Sequence, residues 1–144
     1  MPSDEILESL KESRKKVINL LRDKGLTLHS KISYSSRSSY LKVEYGLGGS
    51  IRFSDHGDRG LSYSFNILYG IEKKYEIDEG GVKRVYYPIG CEEDLVADVL
   101  EKYNKTILKY GEEGSKRVIS RIKSEAKIQK KSGRGFWAGA IELK

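Results

Sequence analysis

One stretch decides the fold: residues 61–69 read Leu61-Ser62-Tyr63-Ser64-Phe65-Asn66-Ile67-Leu68-Tyr69. Apolar or aromatic side chains occupy every second position, and Ser or Asn fills positions 62, 64 and 66. Because the side chains of a strand point alternately to opposite faces, this pattern predicts a strand with one core face and one face in water. The same alternation places Tyr63, Tyr69, Tyr75 and Tyr87 at inward positions, which favours core packing of these rings over stacking on bases.

Upstream of this strand, an amphipathic helix precedes several short strands. Residues 4–24 repeat apolar side chains at near-helical spacing after a Ser3 cap and two acids, and Gly25 ends the pattern. The spacing then changes to two in residues 26–28, 32–34, 41–45 and 51–53, with Tyr45 on the same side as Leu41 and Val43. Gly46-Leu47-Gly48-Gly49 between the last two is a hairpin turn, since no Lys-Ser/Thr pair of a phosphate loop follows it.

Downstream, the pattern predicts a hairpin and two helices. Residues 75–89 alternate around a Gly80-Gly81 turn, and Pro88 limits this hairpin to an edge or a strand end. An acid-led helix runs from Glu92 to Gly111, and a third helix covers about 115–131. The apolar residues 136–143 fit a last strand or a docking tail. The chain is therefore expected to be one α+β domain over 1–144: an N-terminal helix, an antiparallel meander of five to six strands, and two C-terminal helices on one face.

Composition excludes several classes of protein. The chain has 144 residues and a net charge of +6, and no apolar run is longer than four residues. A transmembrane segment needs about 20 apolar residues, so we expect no membrane span. The acidic start differs from a secretory signal, and a single Cys91 cannot form an internal disulfide or a Cys-based zinc site. These features predict a protein of the cytoplasm, in the host cell if it is viral.

The positive charge is concentrated near the C-terminus. Residues 115–135 hold eight Lys or Arg and one acid, Glu125, so this window carries more charge than the whole chain. The eight bases are Lys116, Arg117, Arg121, Lys123, Lys127, Lys130, Lys131 and Arg134. Such a local field suits a phosphate backbone or an acidic protein surface. The alternative is a solvated basic helix without a partner.

The densest polar cluster is residues 51–60, which contain Arg52, Ser54, Asp55, His56 and Arg59. Side chains that are adjacent on one strand or tight turn point in different directions, which argues against a Ser-His-Asp catalytic triad. The spacing of His and Asp in this cluster matches no metal-binding motif. Asx and glycine turn chemistry explains most of these residues. A recognition loop in which Arg52, His56 and Arg59 contact phosphate or carboxylate stays open. We expect no catalytic residue, metal or cofactor.

One set of residues resembles a known family. The ordered motif Ser38-Ser39-Tyr40-Leu41, followed by Ile51-Arg52-Phe53-Ser54-Asp55-His56, is similar to small phage-encoded counter-defence proteins, including the broad-spectrum anti-CRISPR inhibitors of the type II RNA-guided nuclease. The resemblance spans roughly residues 5–110. It implies a non-enzymatic protein that binds a CRISPR effector, with or without its guide RNA, and blocks target binding or cleavage. Unlike that inhibitor, this chain carries its bases in the C-terminal helix.

Two other functions remain open. A stand-alone RNA-binding module is one, because the order helix, antiparallel strands, helix resembles double-stranded RNA-binding domains, although the strand count is higher. A binder of a nucleotide signal that uses Arg52, His56 and Arg59 is the other. For the inhibitor and the RNA-binding module, the contact residues are the eight bases of 115–135 and Trp137, and the inhibitor also uses the Arg52–Arg59 turn. The apolar C-terminal segment is also a credible dimer element.

Overall fold

The computed structural model describes residues 4–33, 38–56, 63–80, 82–133 and 136–143. In chain order its elements are helix α1 (Asp4–Asp23), strands β1 (Leu28–Ser33), β2 (Ser38–Val43), β3 (Ser50–Ser54), β4 (Phe65–Leu68), β5 (Tyr75–Glu79) and β6 (Val82–Tyr87), helix α2 (Glu92–Ser132) and strand β7 (Ile141–Leu143). Single 3-10 turns lie at Glu44–Gly46 and Phe136–Gly139. The predicted α+β class is confirmed, as are the N-terminal helix and the short terminal strand.

The seven strands form one mixed sheet in the order β5-β6-β4-β3-β2-β1-β7. Strands β1, β2 and β3 are antiparallel neighbours, and β7 pairs antiparallel with β1 at one edge. Strand β4, however, is parallel to both β3 and β6. The predicted all-antiparallel meander is therefore wrong at β4, because side-chain alternation is the same in parallel and antiparallel strands.

One face of the sheet forms the core with α1 and the first part of α2. Val17 and Leu21 of α1 and Leu95 and Val99 of α2 have no exposed surface. They pack with the inward side chains of the central strands, which are Leu41, Val43, Ile51, Phe53, Phe65, Ile67, Val85 and Tyr87. Truncating one such residue to Ala costs about 2–5 kcal/mol, so this face dominates the stability of the fold.

The other face of the central strands is also buried, which the sequence pattern did not predict. Arg52, Ser54 and Asn66 each expose only 1% of their surface. The Asn66 amide donates to the carbonyl oxygens of Tyr63 at 3.1 Å and Val85 at 3.5 Å. The expectation that Asn66 faces water is wrong, because the side chain is buried and its amide group bonds to backbone carbonyl groups.

The tyrosines divide between the two faces and the surface. Tyr87 is fully buried in the core, as its position predicted, but Tyr69 and Tyr75 are 38% and 40% exposed. Tyr75 lies opposite Tyr86 in the β5–β6 pair, and the two rings stack at 4.8 Å on the face that does not form the core. The inward assignment of Tyr75 is wrong because the register pairs it with Tyr86, whose side chain points away from the core face that holds Tyr87.

Candidate nucleic-acid interface

Helix α2 changes direction at Gly111, which has φ 72° and ψ 171°. Only glycine adopts this backbone region without strain, so the helix is interrupted there although its hydrogen-bonded turns continue on either side. The interruption coincides with the boundary that the sequence placed between two helices. We call residues 92–110 the core arm and residues 112–132 the basic arm.

The basic arm lies against the opposite side of the sheet from the core. His29 and Lys42 are cross-strand partners next to the pair Leu28 and Val43, whose side chains are in the core. By strand alternation, His29 and Lys42 therefore point to the other face. Ile122 of the basic arm lines a groove with both of them. Gly111 thus lets one helix contribute to the core and then pass beside the other face of β1 and β2, across a groove.

Most cations of the basic arm are exposed and have no acidic partner. Lys116 lies 3.8 Å from Glu112 and 3.7 Å from Glu113, which are exposed pairs of little energetic value. In the described part of the chain, no carboxylate lies within ion-pair distance of the remaining exposed bases of the arm, which are Arg117, Arg121, Lys123, Lys127, Lys130 and Lys131. Their charge is therefore available to a partner in solution.

The basic arm, the sheet and the C-terminal segment enclose a groove with a volume of about 360 Å³, which we call the aromatic groove. Lys123, Lys127 and Lys130 line it from the arm. Their spacing of four and three residues places all three on one face of the helix. Trp137, which the sequence proposed as a contact residue, lines the same groove from the 3-10 turn Phe136–Gly139.

The sheet side of the groove contributes His29, Lys42 and Tyr45, none of which the sequence marked as a site residue. Lys42 Nζ lies 4.6 Å from the centre of the Trp137 ring, and Lys123 Nζ lies 4.9 Å from that of Tyr45. A cation over an exposed ring contributes about 0.5–1 kcal/mol. The sequence feature that could have identified Lys42 as a site residue is its outward position in the alternating segment 41–45.

Tyr45 reaches the groove because of an unusual backbone. Glu44 and Tyr45 have φ values of 46° and 56°, the left-handed region that costs non-glycine residues about 1–3 kcal/mol. Glu44 is held in place by Thr27, whose amide donates to the Glu44 carboxylate at 3.1 Å and whose carbonyl accepts from the Glu44 amide at 2.8 Å. The sequence pattern had placed Tyr45 in line with Leu41 and Val43, which is wrong because the strand ends at Val43 and this turn redirects the ring.

Glu142 is the one carboxylate that lines the groove among the described residues. Its Oε1 lies 3.7 Å from His29 Nε2 and accepts from the Tyr45 hydroxyl at 3.4 Å. Burial lowers the pKa of His29 despite Glu142, and burial also lowers the pKa of Lys42. The groove therefore combines three exposed ammonium groups, two aromatic rings and a single acid that already has neighbours.

The cluster around Arg52 is separate from this groove and buried. Arg52 Nη2 donates to Ser54 Oγ at 3.2 Å and to His56 Nδ1 at 2.9 Å. Ser38 Oγ donates to Ser54 Oγ at 3.1 Å. Burial raises the pKa of neighbouring Tyr63 to about 12. With 1% exposure, the Arg52 guanidinium bonds within β3 and the residues after it and is not on the surface where a macromolecule would meet it.

The remaining proposed contact residues fall into two groups. His56 is half-buried beside Arg52, while every Lys and Arg proposed between 116 and 131 is exposed. Arg59 and Arg134 lie outside the described residues. Thus the structure gathers Lys123, Lys127, Lys130 and Trp137 into one groove and separates them from Arg52 and His56.

The described ranges contain neither a metal-binding cluster nor a helix that could span a membrane. No three His, Cys, Asp or Glu side chains in these ranges come together as a metal site. None of the helices there is both long and apolar enough to cross a bilayer. Comparison with known proteins found no matching family model, curated protein or solved structure.

Proposed function

We propose that this protein binds RNA through the basic arm and acts without an enzymatic step. The observation that carries the proposal is the set of exposed Lys and Arg side chains without acidic partners on residues 112–132. Lys and Arg side chains that neutralise phosphates release counterions, which supplies sequence-independent affinity for a nucleic-acid backbone. An acidic protein surface would use the same charge, but an RNA strand also has bases that stack on the aromatic rings beside the arm.

We further propose that the RNA is the guide RNA of an RNA-guided nuclease. This step rests on the resemblance of the Tyr40-Leu41 and Arg52 to His56 motif to counter-defence proteins. A small protein that covers a guide RNA with an arm of about 30 Å would prevent base pairing with target DNA. The proposal therefore predicts inhibition of target binding as well as of cleavage.

The test uses charge reversal on the part of the arm that does not line the groove. The variant Lys116→Glu, Arg117→Glu, Arg121→Glu should bind guide RNA at least tenfold more weakly, because three attractive contacts become repulsive. A matched control reverses Lys11, Lys15 and Lys16, which are exposed on α1 and change the net charge by the same amount. The measurement is fluorescence anisotropy with a labelled guide RNA.

Inhibition is measured with the same variants on a purified type II effector loaded with guide RNA. The wild-type protein and the α1 variant should block DNA binding and cleavage, and the arm variant should not. Binding to guide RNA without any effect on the loaded effector would contradict the inhibitor role and leave a stand-alone RNA-binding module. Equal loss of RNA binding in the arm variant and the α1 variant would contradict the basic arm as the binding surface.

A further inference from the structure

The aromatic groove has the composition of a site for a ring that carries negative charge. Trp137 and Tyr45 present aromatic surface, and Lys123, Lys127 and Lys130 follow one wall. A phosphate beside a planar base is the chemical group that uses both features, because bases stack on aromatic rings and phosphates attract lysines. A phosphate without a base would not stack on the two rings.

The lysines that now lie over the rings can move to a phosphate. Lys42 and Lys123 sit 4.6 Å and 4.9 Å from the ring centres of Trp137 and Tyr45. An ammonium over a partly exposed ring is a weaker contact than a stacked base, so a base can replace it. The displaced ammonium then lies at the edge of the stack, where the phosphate of the same nucleotide is located.

The groove has the size of a small-ligand site and can hold one unpaired nucleotide. Its volume of about 360 Å³ is within the range of small-ligand sites, about 300–1,000 Å³. A paired helix does not fit this description, because its base faces are stacked on each other and closed to a protein ring. The left-handed backbone at Glu44 and Tyr45 is a second observation at the site, since strained backbone is retained where it positions a functional group.

We infer that the aromatic groove binds one unpaired nucleotide of an RNA strand, with its base against Trp137 and its phosphate among Lys123, Lys127 and Lys130. The inference rests on the proposed RNA binding and adds to it a preference for single-stranded RNA with bases over a bare phosphate backbone. The basic arm outside the groove binds the neighbouring phosphates. The groove discriminates between strands, because only an unpaired base can enter it.

The experiment compares two labelled octanucleotides of equal charge, oligouridylate and the same chain with abasic sites. Wild-type protein should prefer the strand with bases by about tenfold, in line with stacking on one ring. Trp137→Ala should abolish this preference, and Trp137→Phe should keep most of it. Lys127→Gln should weaken binding of both strands, because it removes a phosphate contact. Circular dichroism establishes that each variant is folded.

The single tryptophan of the chain reports the same site directly. Oligouridylate should quench Trp137 fluorescence in a saturable manner, and inorganic phosphate should not. Quenching by free uridine monophosphate but not by the oligonucleotide would overturn the strand as the source of the nucleotide. Equal affinity for both octanucleotides would overturn the inference and leave backbone binding intact. Absence of binding to either would overturn the proposed function itself.

Discussion

Replacing Gly111 with alanine tests whether the direction of the basic arm depends on one backbone angle. At φ 72° and ψ 171° a Cβ carries strain of about 1–3 kcal/mol. In a continuous helix the same alanine is favoured over glycine by about 1 kcal/mol. The substitution should therefore shift the balance toward a straight helix by about 2–4 kcal/mol, the sum of these two effects.

The free energy that the apolar side chains of the arm gain by burial is of similar size. Val118, Ile119 and Ile122 are half-buried, and half of a full burial is worth about 1 kcal/mol for each side chain, or about 3 kcal/mol together. Gly111→Ala should thus populate a detached arm to a substantial fraction. A straight basic arm of 21 residues extends about 30 Å beyond the core arm.

Small-angle X-ray scattering measures this change as a larger maximum dimension, and exposure of Trp137 should shift its fluorescence to longer wavelength. Gly114→Ala is the matched control, since Gly114 lies in the same helix without a positive φ and an added Cβ would come 3.3 Å from Tyr110 Cβ. That variant should keep the wild-type scattering profile. An unchanged profile and unchanged stability for Gly111→Ala would refute the reasoning.

Further predictions concern two hydrogen-bonded polar groups, the buried Arg52 and the half-buried Asp98. Arg52→Ala should lower the free energy of unfolding by about 1.5–3 kcal/mol, because it removes charge-assisted hydrogen bonds to Ser54 and His56. Urea unfolding measures this loss. The RNA affinity of the folded variant should be unchanged, because Arg52 is structural. The pKa of Asp98 lies below its usual value because hydrogen bonds from Lys74 and Tyr87 outweigh burial. A carboxyl group whose pKa is lower in the folded protein stabilises the fold at pH values above its pKa in the unfolded chain, about 3.9. This stabilisation is lost as the pH falls through the pKa of the folded protein. Urea unfolding from pH 6 to pH 2 should therefore show a smaller decrease for Asp98→Asn than for wild type, and parallel curves would contradict it.

The sequence predicted the elements of the fold better than their arrangement. Helix α1, the β5–β6 hairpin and the interruption at Gly111 follow from local patterns of apolar residues and glycine. The parallel pairing of β4 does not, because residues 55–64 are long enough for either a hairpin loop or a crossover and alternation does not distinguish them. The burial of Arg52 and Asn66 on the second face is likewise not indicated by the alternation.

The candidate site was predicted in part. The charged face of the basic arm is visible in the sequence because lysine and arginine recur there with a single acid. The aromatic groove is not, since Lys42, Tyr45 and Trp137 are distant in sequence and meet only through the pairing of β1 with β2 and β7. Tyr45 in particular depends on two left-handed residues that no periodicity indicates.

The salt dependence of RNA binding tests the central claim most directly. Each phosphate contact on a single strand contributes about −0.7 to the slope of log affinity against log salt concentration. Wild-type protein and the α1 variant should show the same steep slope, and reversal of Lys116, Arg117 and Arg121 should make it shallower by about 2, the effect of three lost contacts. A slope that is unchanged in the arm variant, or that is flat in the wild type, would contradict RNA binding by the basic arm.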